Sequence, residues 1–122
     1  MTRILVADDD DAIRHILKEY LEKAGYDVLV AQNGAEALKL GRATPIDLLI
    51  TDILMPEKEG LETIMEFRRQ FPSVKIIAMS GGGTVEAEVY LDFAKTLGAQ
   101  KIFAKPFELK DLLEEVRKLI GK

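Results

Sequence analysis

Arg3-Ile4-Leu5-Val6-Ala7-Asp8-Asp9-Asp10-Asp11, residues 3–11, joins a short apolar run to four consecutive carboxylates, and the reading of that junction decides the fold. Ile4-Leu5-Val6-Ala7 is too short for a helix, rich in branched side chains and apolar on both alternating sets. That is the pattern of a strand buried on both faces. Beyond the acids, Ile13, Ile16, Leu17, Tyr20, Leu21 and Ala24 recur at helical spacing until Gly25 stops them. The unit is therefore strand, acidic turn, helix. It repeats along the chain. Apolar runs return at Val28-Leu29-Val30-Ala31, Leu48-Leu49-Ile50, Ile76-Ile77-Ala78-Met79 and Ile102-Phe103-Ala104. Between them Asn33 followed by Glu36 marks a capped helix start. Leu61, Ile64, Met65 and Phe71 mark a third helix, and Val89, Tyr90, Phe93 and Leu97 a fourth closed by Gly98. Leu109, Leu112, Leu113, Val116, Leu119 and Ile120 mark a fifth. Five strands alternating with five helices give a (βα)5 pattern of the α/β class, a doubly wound parallel sheet with helices on both faces.

The composition fits one domain spanning residues 1–122, with no internal repeat, linker or low-complexity tract. There is no cysteine, which excludes disulfides, zinc-thiolate sites and thiol nucleophiles, and the single histidine, His15, excludes a multi-histidine metal site. Seventeen basic against 21 acidic residues leave a net charge of −4. The basic residues are scattered, densest at Arg68-Arg69, so no nucleic-acid footprint emerges. Acids stand where a signal peptide needs its apolar core, and no apolar run approaches the roughly eighteen residues of a membrane span. The expected compartment is the cytoplasm, without membrane insertion.

In an open α/β sheet ligands bind beyond the carboxyl ends of the strands, so the residues following each apolar run carry the information. Asp8 to Asp11 follow the first, Asp52 the third, Ser80 the fourth and Lys105 the fifth, with Pro106 behind it. Carboxylates, a hydroxyl and an ammonium thus converge on one sheet edge. Two carboxylates about 4 Å apart repel by around 4 kcal/mol at an effective dielectric near 20. A hard divalent cation with oxygen ligands compensates such repulsion, and Mg²⁺ suits a site that keeps positions for water and phosphate oxygens. With Lys105 beside it, a carboxylate in this pocket can act as a nucleophile toward a phosphoryl group and form an acyl phosphate. Asp10 and Asp11 read instead as carboxylates suited to a helix N-terminus. His15 lies off the apolar stripe and reads as a solvated surface residue.

At these residues the chain resembles the receiver domain of two-component response regulators, typified by the bacterial chemotaxis regulator. The resemblance runs through ILVADDDD, LLITDILMPEKEG, IIAMSGG and FAKPF and so covers essentially the whole chain. It implies the strand order 2-1-3-4-5. It implies that Asp52 is the phosphoryl acceptor, that Asp9 binds Mg²⁺ directly and that Asp8 acts largely through water. The backbone carbonyl of Leu54 matches the third protein ligand, and Lys105 the lysine that pairs with the acceptor and then with its phosphoryl group. Ser80 matches the switch hydroxyl and Phe103 the switch aromatic that turns inward as the hydroxyl moves. The Lys105-Pro106 bond is expected to be cis, and Met55-Pro56 and Gly60 fit the loop after the acceptor. Asp11 departs from the proline common at its position. Gly81-Gly82-Gly83 is unusually glycine-rich, and Gln100-Lys101 replaces an acidic pair found in members that dimerise through the fourth and fifth helices.

The function expected from the resemblance is a phosphorylation switch and not an enzyme in the usual sense. Asp52 takes a phosphoryl group from a sensor histidine kinase or a histidine phosphotransfer protein, with Mg²⁺ as cofactor. The modified domain then changes its contacts with a downstream protein through the face of the fourth helix, fifth strand and fifth helix. Leu54 and Gly82 offer no polar group to orient a hydrolytic water, so slow self-dephosphorylation is expected. The alternative in the same fold is a degenerate receiver that works as a phosphorylation-independent interaction module. A flavodoxin-like electron carrier would need a Ser/Thr/Gly phosphate loop where the four aspartates stand. A haloacid-dehalogenase-type phosphatase would fit the spacing of Asp8 and Asp10, but needs more chain than 122 residues.

Overall fold

Strands and helices alternate without exception through the computed structural model, which describes residues 2–53, 60–81 and 85–121, and of residues 85–88, 90 and 91 the backbone alone. The elements are β1 (Arg3–Ala7), α1 (Asp11–Lys23), β2 (Asp27–Ala31), α2 (Gly34–Ala43), β3 (Leu48–Asp52), α3 (Gly60–Gln70), β4 (Lys75–Gly81), α4 (Val85–Leu97), β5 (Lys101–Lys105) and α5 (Leu109–Ile120). All strand pairs are parallel, in the order β2-β1-β3-β4-β5. The class and the strand order are those expected. The structure extends β3 and β4 past their apolar runs, so Asp52 closes β3 and Ser80 lies inside β4, opposite Ala104.

The sheet divides the core into two clusters. Leu5, Ala7, Leu49, Ile76 and Ala78 pack on one side with Leu38 of α2, Ile64 and Phe67 of α3 and Ala94 of α4. Ile4, Val6, Leu48, Ile50, Ile77 and Met79 pack on the other with Leu17 and Leu21 of α1 and Leu112 and Val116 of α5. Strands apolar on both alternating sets follow directly, since neither set meets water.

Helix ends obey their local chemistry. Asn33 accepts the Glu36 N–H at 2.8 Å while Glu36 Oε1 accepts the Gln32 N–H at 3.2 Å, one donor in the first turn of α2 and one just ahead of its cap. Asp10 caps α1 by accepting from the Ala12 N–H at 2.9 Å and the Ile13 N–H at 3.4 Å. Gly25 takes a positive φ of 101° just after α1, where a side chain would be strained.

The apolar faces read from periodicity need correction in three helices. Ile16, Met65, Val89 and Phe93 are 48%, 53%, 48% and 54% exposed, while Phe67 and Ala94 are fully buried. The stripe of α3 runs through Ile64 and Phe67, which turns Met65 outward. Ala94 brings α4 close to the sheet and leaves the larger Val89 and Phe93 on the outer side. No described helix is long and apolar enough to cross a membrane.

Candidate functional site

β1 and β3 are neighbours in the sheet, so their carboxyl ends set Asp8 and Asp52 side by side. Asp8 is fully buried and held at every polar atom. Its N–H donates to the Ala31 carbonyl at 3.1 Å, and its carbonyl accepts from Arg14 Nη1 at 2.6 Å. Of its carboxylate oxygens, Oδ1 accepts the Asp10 N–H at 2.9 Å and Oδ2 accepts from Lys105 Nζ at 2.8 Å. Asp52 is buried as well, whereas Asp9 is exposed. One carboxylate oxygen from each of Asp8, Asp9 and Asp52 lies within 4.8 Å of the others. Asp8 is thus committed to the protein, and of the three carboxylates only that of Asp9 is exposed.

Lys105 closes the cluster from β5. Its ammonium donates to Asp8 Oδ2 and, at 3.3 Å, to Asp52 Oδ2. Burial of the ammonium pulls its pKa down, but the hydrogen bond to Asp8 and the charges of Asp52 and Asp8 outweigh that. The group is held above the ordinary lysine value of 10.5. It is therefore a fixed cation bridging two buried anions. The Lys105-Pro106 bond is cis.

Gly60, the first residue of α3, packs directly against the end of β3. Its N–H donates to the Ile53 carbonyl at 3.1 Å, and a Cβ at this position would lie 2.2 Å from Ile53 Cα and 2.3 Å from the Asp52 carbonyl oxygen. Only glycine admits this approach. Leu54, whose backbone carbonyl is the expected third ligand, lies outside the described residues, as do Met55-Pro56 and Gly82.

Ser80 is fully buried, and its hydroxyl has no hydrogen-bond partner among the described residues. It follows Met79, the residue that pairs with Asp52 across β3 and β4. Phe103 is not placed to follow it. Ser80 continues the alternation of Ile76 and Ala78, on the α2–α3–α4 side of the sheet, whereas Phe103 packs on the α1–α5 side against Phe107 at 5.2 Å between ring centroids. The expectation that Phe103 turns in beside the hydroxyl is corrected by this register. The large β5 side chain on the face of Ser80 is Ile102. Phe103 instead lines a surface groove with Lys101, Asp111, Glu114 and Glu115, where the Lys101 ammonium sits 5.9 Å from its ring centroid.

Arg14 escaped the sequence reading. It sits off the apolar stripe of α1 as any surface basic residue would, and the only signal was its position three residues beyond Asp11. Its guanidinium pairs with the Asp11 carboxylate while it holds the Asp8 carbonyl. His15 lies where expected, on the surface, with Nε2 3.3 Å from Glu19 Oε2.

The donor set is all oxygen, carboxylate-rich and open on one side, which fits a hard divalent cation that retains water. A carboxylate beside a fixed ammonium is also an arrangement compatible with a phosphoryl group.

The model of the response regulator receiver domain matches residues 4–117. Among curated proteins, the chain is 38% identical to the response regulator receiver protein CpdR of Brucella abortus (strain 2308), over 98% of each chain. It is 34% identical to the transcriptional regulatory protein CpxR of Escherichia coli (strain K12), where the whole chain spans about 50% of the relative's length. Among solved structures, the response regulator TrrA of Thermotoga maritima, in complex with Mg²⁺-BeF, is 39% identical with a TM-score of 0.85, over 98% of this chain and 99% of that one. The chemotaxis protein CheY4 of Vibrio cholerae is 29% identical with a TM-score of 0.86, over 98% of each chain.

Proposed function

The chain belongs to the response regulator receiver domain family, whose members are signalling modules acting between kinases and downstream proteins, and from that premise we propose that Asp52 is the phosphoryl acceptor of a two-component or phosphorelay pathway. We read residues 1–122 as one such receiver. The observation that carries this reading is the ammonium of Lys105 bridging the buried carboxylates of Asp8 and Asp52, with Asp9 completing an oxygen cluster within 4.8 Å.

In the reaction a carboxylate oxygen of Asp52 attacks the phosphorus of a phosphohistidine on the donor protein. The P–N bond breaks, its electron pair returns to the imidazole, which takes up a proton, and an aspartyl phosphate remains. Asp9 and Asp52, with the Leu54 carbonyl, are the groups that would hold Mg²⁺, while Asp8 orients Lys105. Bound there, Mg²⁺ supplies charge neutralisation for the phosphoryl oxygens. The same neutralisation comes from Lys105, which exchanges its Asp52 contact for the phosphoryl group. An apolar groove of about 520 Å³ runs beside Lys105 along Ile13, Ile16, Pro106 and Phe107, and offers a donor protein contact area next to the acceptor.

The buried hydroxyl of Ser80, which has no hydrogen-bond partner among the described residues, is poised to donate to a phosphoryl oxygen. A shift there is passed to Ile102 and to α4, which carries the exposed Val89 and Phe93, and so to the α4–β5–α5 face that contacts a downstream protein.

Intact-mass spectrometry after incubation with a small phosphodonor tests the proposal. The expected result is a single phosphoryl adduct that needs both Mg²⁺ and Asp52, absent in Asp52→Asn. A folded protein that takes no adduct from a competent donor would instead favour the phosphorylation-independent interaction module.

A further inference from the structure

We propose that Arg14, braced by Asp11, is a positioning residue for the acidic pair, which locks the peptide between Asp8 and Asp9 so that the Asp9 carboxylate faces the cation site. The inference rests on the reading that the site takes Mg²⁺.

Lys105, the Asp10 N–H and the Ala31 carbonyl fix three of the polar atoms of Asp8, and the fourth, its carbonyl, is held by Arg14 Nη1 at 2.6 Å. That carbonyl belongs to the peptide unit that ends at the nitrogen of Asp9. Its plane therefore sets the direction from which the Asp9 side chain departs. Asp9 is exposed, so its aim depends on this backbone hold more than on packing. Arg14 in turn is steadied by Asp11. The guanidinium side chain is 15% exposed and the Asp11 side chain 91% exposed. An i,i+3 ion pair on a helix adds only about 0.2–0.5 kcal/mol to the helix itself. The consequence lies in the second fork of the guanidinium, which only arginine supplies while the first is engaged. This gives the aspartate at position 11 a use that a proline there would not have.

The charges allow a clean test. Removing Arg14 alone takes a cation from beside the site and would favour Mg²⁺ electrostatically, opposing the loss of the clamp. Arg14→Met combined with Asp11→Asn keeps the net charge and isolates the clamp. Arg14→Lys also keeps the charge, but lacks the fork.

Mg²⁺ binding is measured by isothermal titration calorimetry on the unphosphorylated protein, with thermal unfolding of each variant alongside. The double variant is expected to bind Mg²⁺ about tenfold more weakly, the lower end of the usual effect of groups that orient metal ligands. Arg14→Lys is expected to fall between it and the parent, with unfolding midpoints unchanged. A double variant with parental Mg²⁺ affinity overturns the clamp and leaves the receiver reading intact. A parent protein that binds no Mg²⁺ overturns both. If the double variant does not fold, Arg14→Lys decides, and parental affinity there overturns the proposal.

Discussion

Lys105 connects two anions that would otherwise face each other inside the protein, and its replacement should show how much of the molecule leans on it. In Lys105→Met the buried carboxylates of Asp8 and Asp52 lose their cation, and the expected destabilisation near neutral pH is about 3–5 kcal/mol. The raised pKa of the folded protein fixes the sign of the pH dependence. The contribution of Lys105 is fully present below 10.5 and is lost as pH climbs through the higher value of the folded state. As pH rises from neutral, denaturant midpoints of parent and variant should therefore converge only in strongly alkaline solution, and curves that converge already near pH 8 would contradict this account. Position 54 is expected to govern a different property. With leucine there no side chain orients a hydrolytic water, so the aspartyl phosphate should be long-lived and Leu54→Asn should shorten it, as followed by loss of the mass adduct over time. At this scale the sequence was most readable where chemistry-bearing residue types end apolar runs, hence Asp8, Asp9, Asp52, Ser80 and Lys105. Phe103 was misread because its sheet face depends on the register of β5 against β4, which no local pattern contains. Arg14 was missed because its partner is a backbone carbonyl, and carbonyls leave no mark in a sequence.

Single elements show a related limit. Every strand and helix lies close to where its periodicity put it, since an apolar run of three to four residues and an amphipathic repeat are local properties. The orientation of an apolar face is not local. On α4 the residue against the sheet is Ala94, and Val89 and Phe93 look outward, so spacing correctly marked a face and wrongly implied its burial. Stability measurements separate the two kinds of aromatic. Phe67→Ala, in the core under α3, should cost about 3–5 kcal/mol by cavity formation. Phe93→Ser on α4 should stay within about 0.5 kcal/mol of the parent, because the ring is already half in water. Equal losses in urea unfolding would return Phe93 to the core.

For the molecule as a whole, the parallel sheet places one acidic edge above two separate hydrophobic clusters, and that architecture was legible because fully apolar strands alternating with helices admit few other topologies. Mg²⁺ should act on this entire unit. Bound only to the folded protein, it raises the unfolding free energy by about 2.7 kcal/mol at about a hundred times its Kd. Thermal unfolding with and without Mg²⁺ reads this directly, and Asp9→Asn should remove most of the increment. A variant that keeps the full increment would take Asp9 out of the ligand set.

The contact between Lys105 and Asp8 spans 97 positions, nearly the length of the chain. During synthesis from the N-terminus, Asp8 and Asp52 emerge long before the lysine that reconciles them. Until β5 leaves the ribosome and docks at the sheet edge, the nascent protein holds Asp8 and Asp52 without the ammonium that bridges them, and each carboxylate resists burial of the other. The last strand is thus drawn into place by charge as well as by apolar contact. An incomplete polypeptide has no finished sheet edge, and the oxygen cluster and its ammonium come together only when the last strand docks.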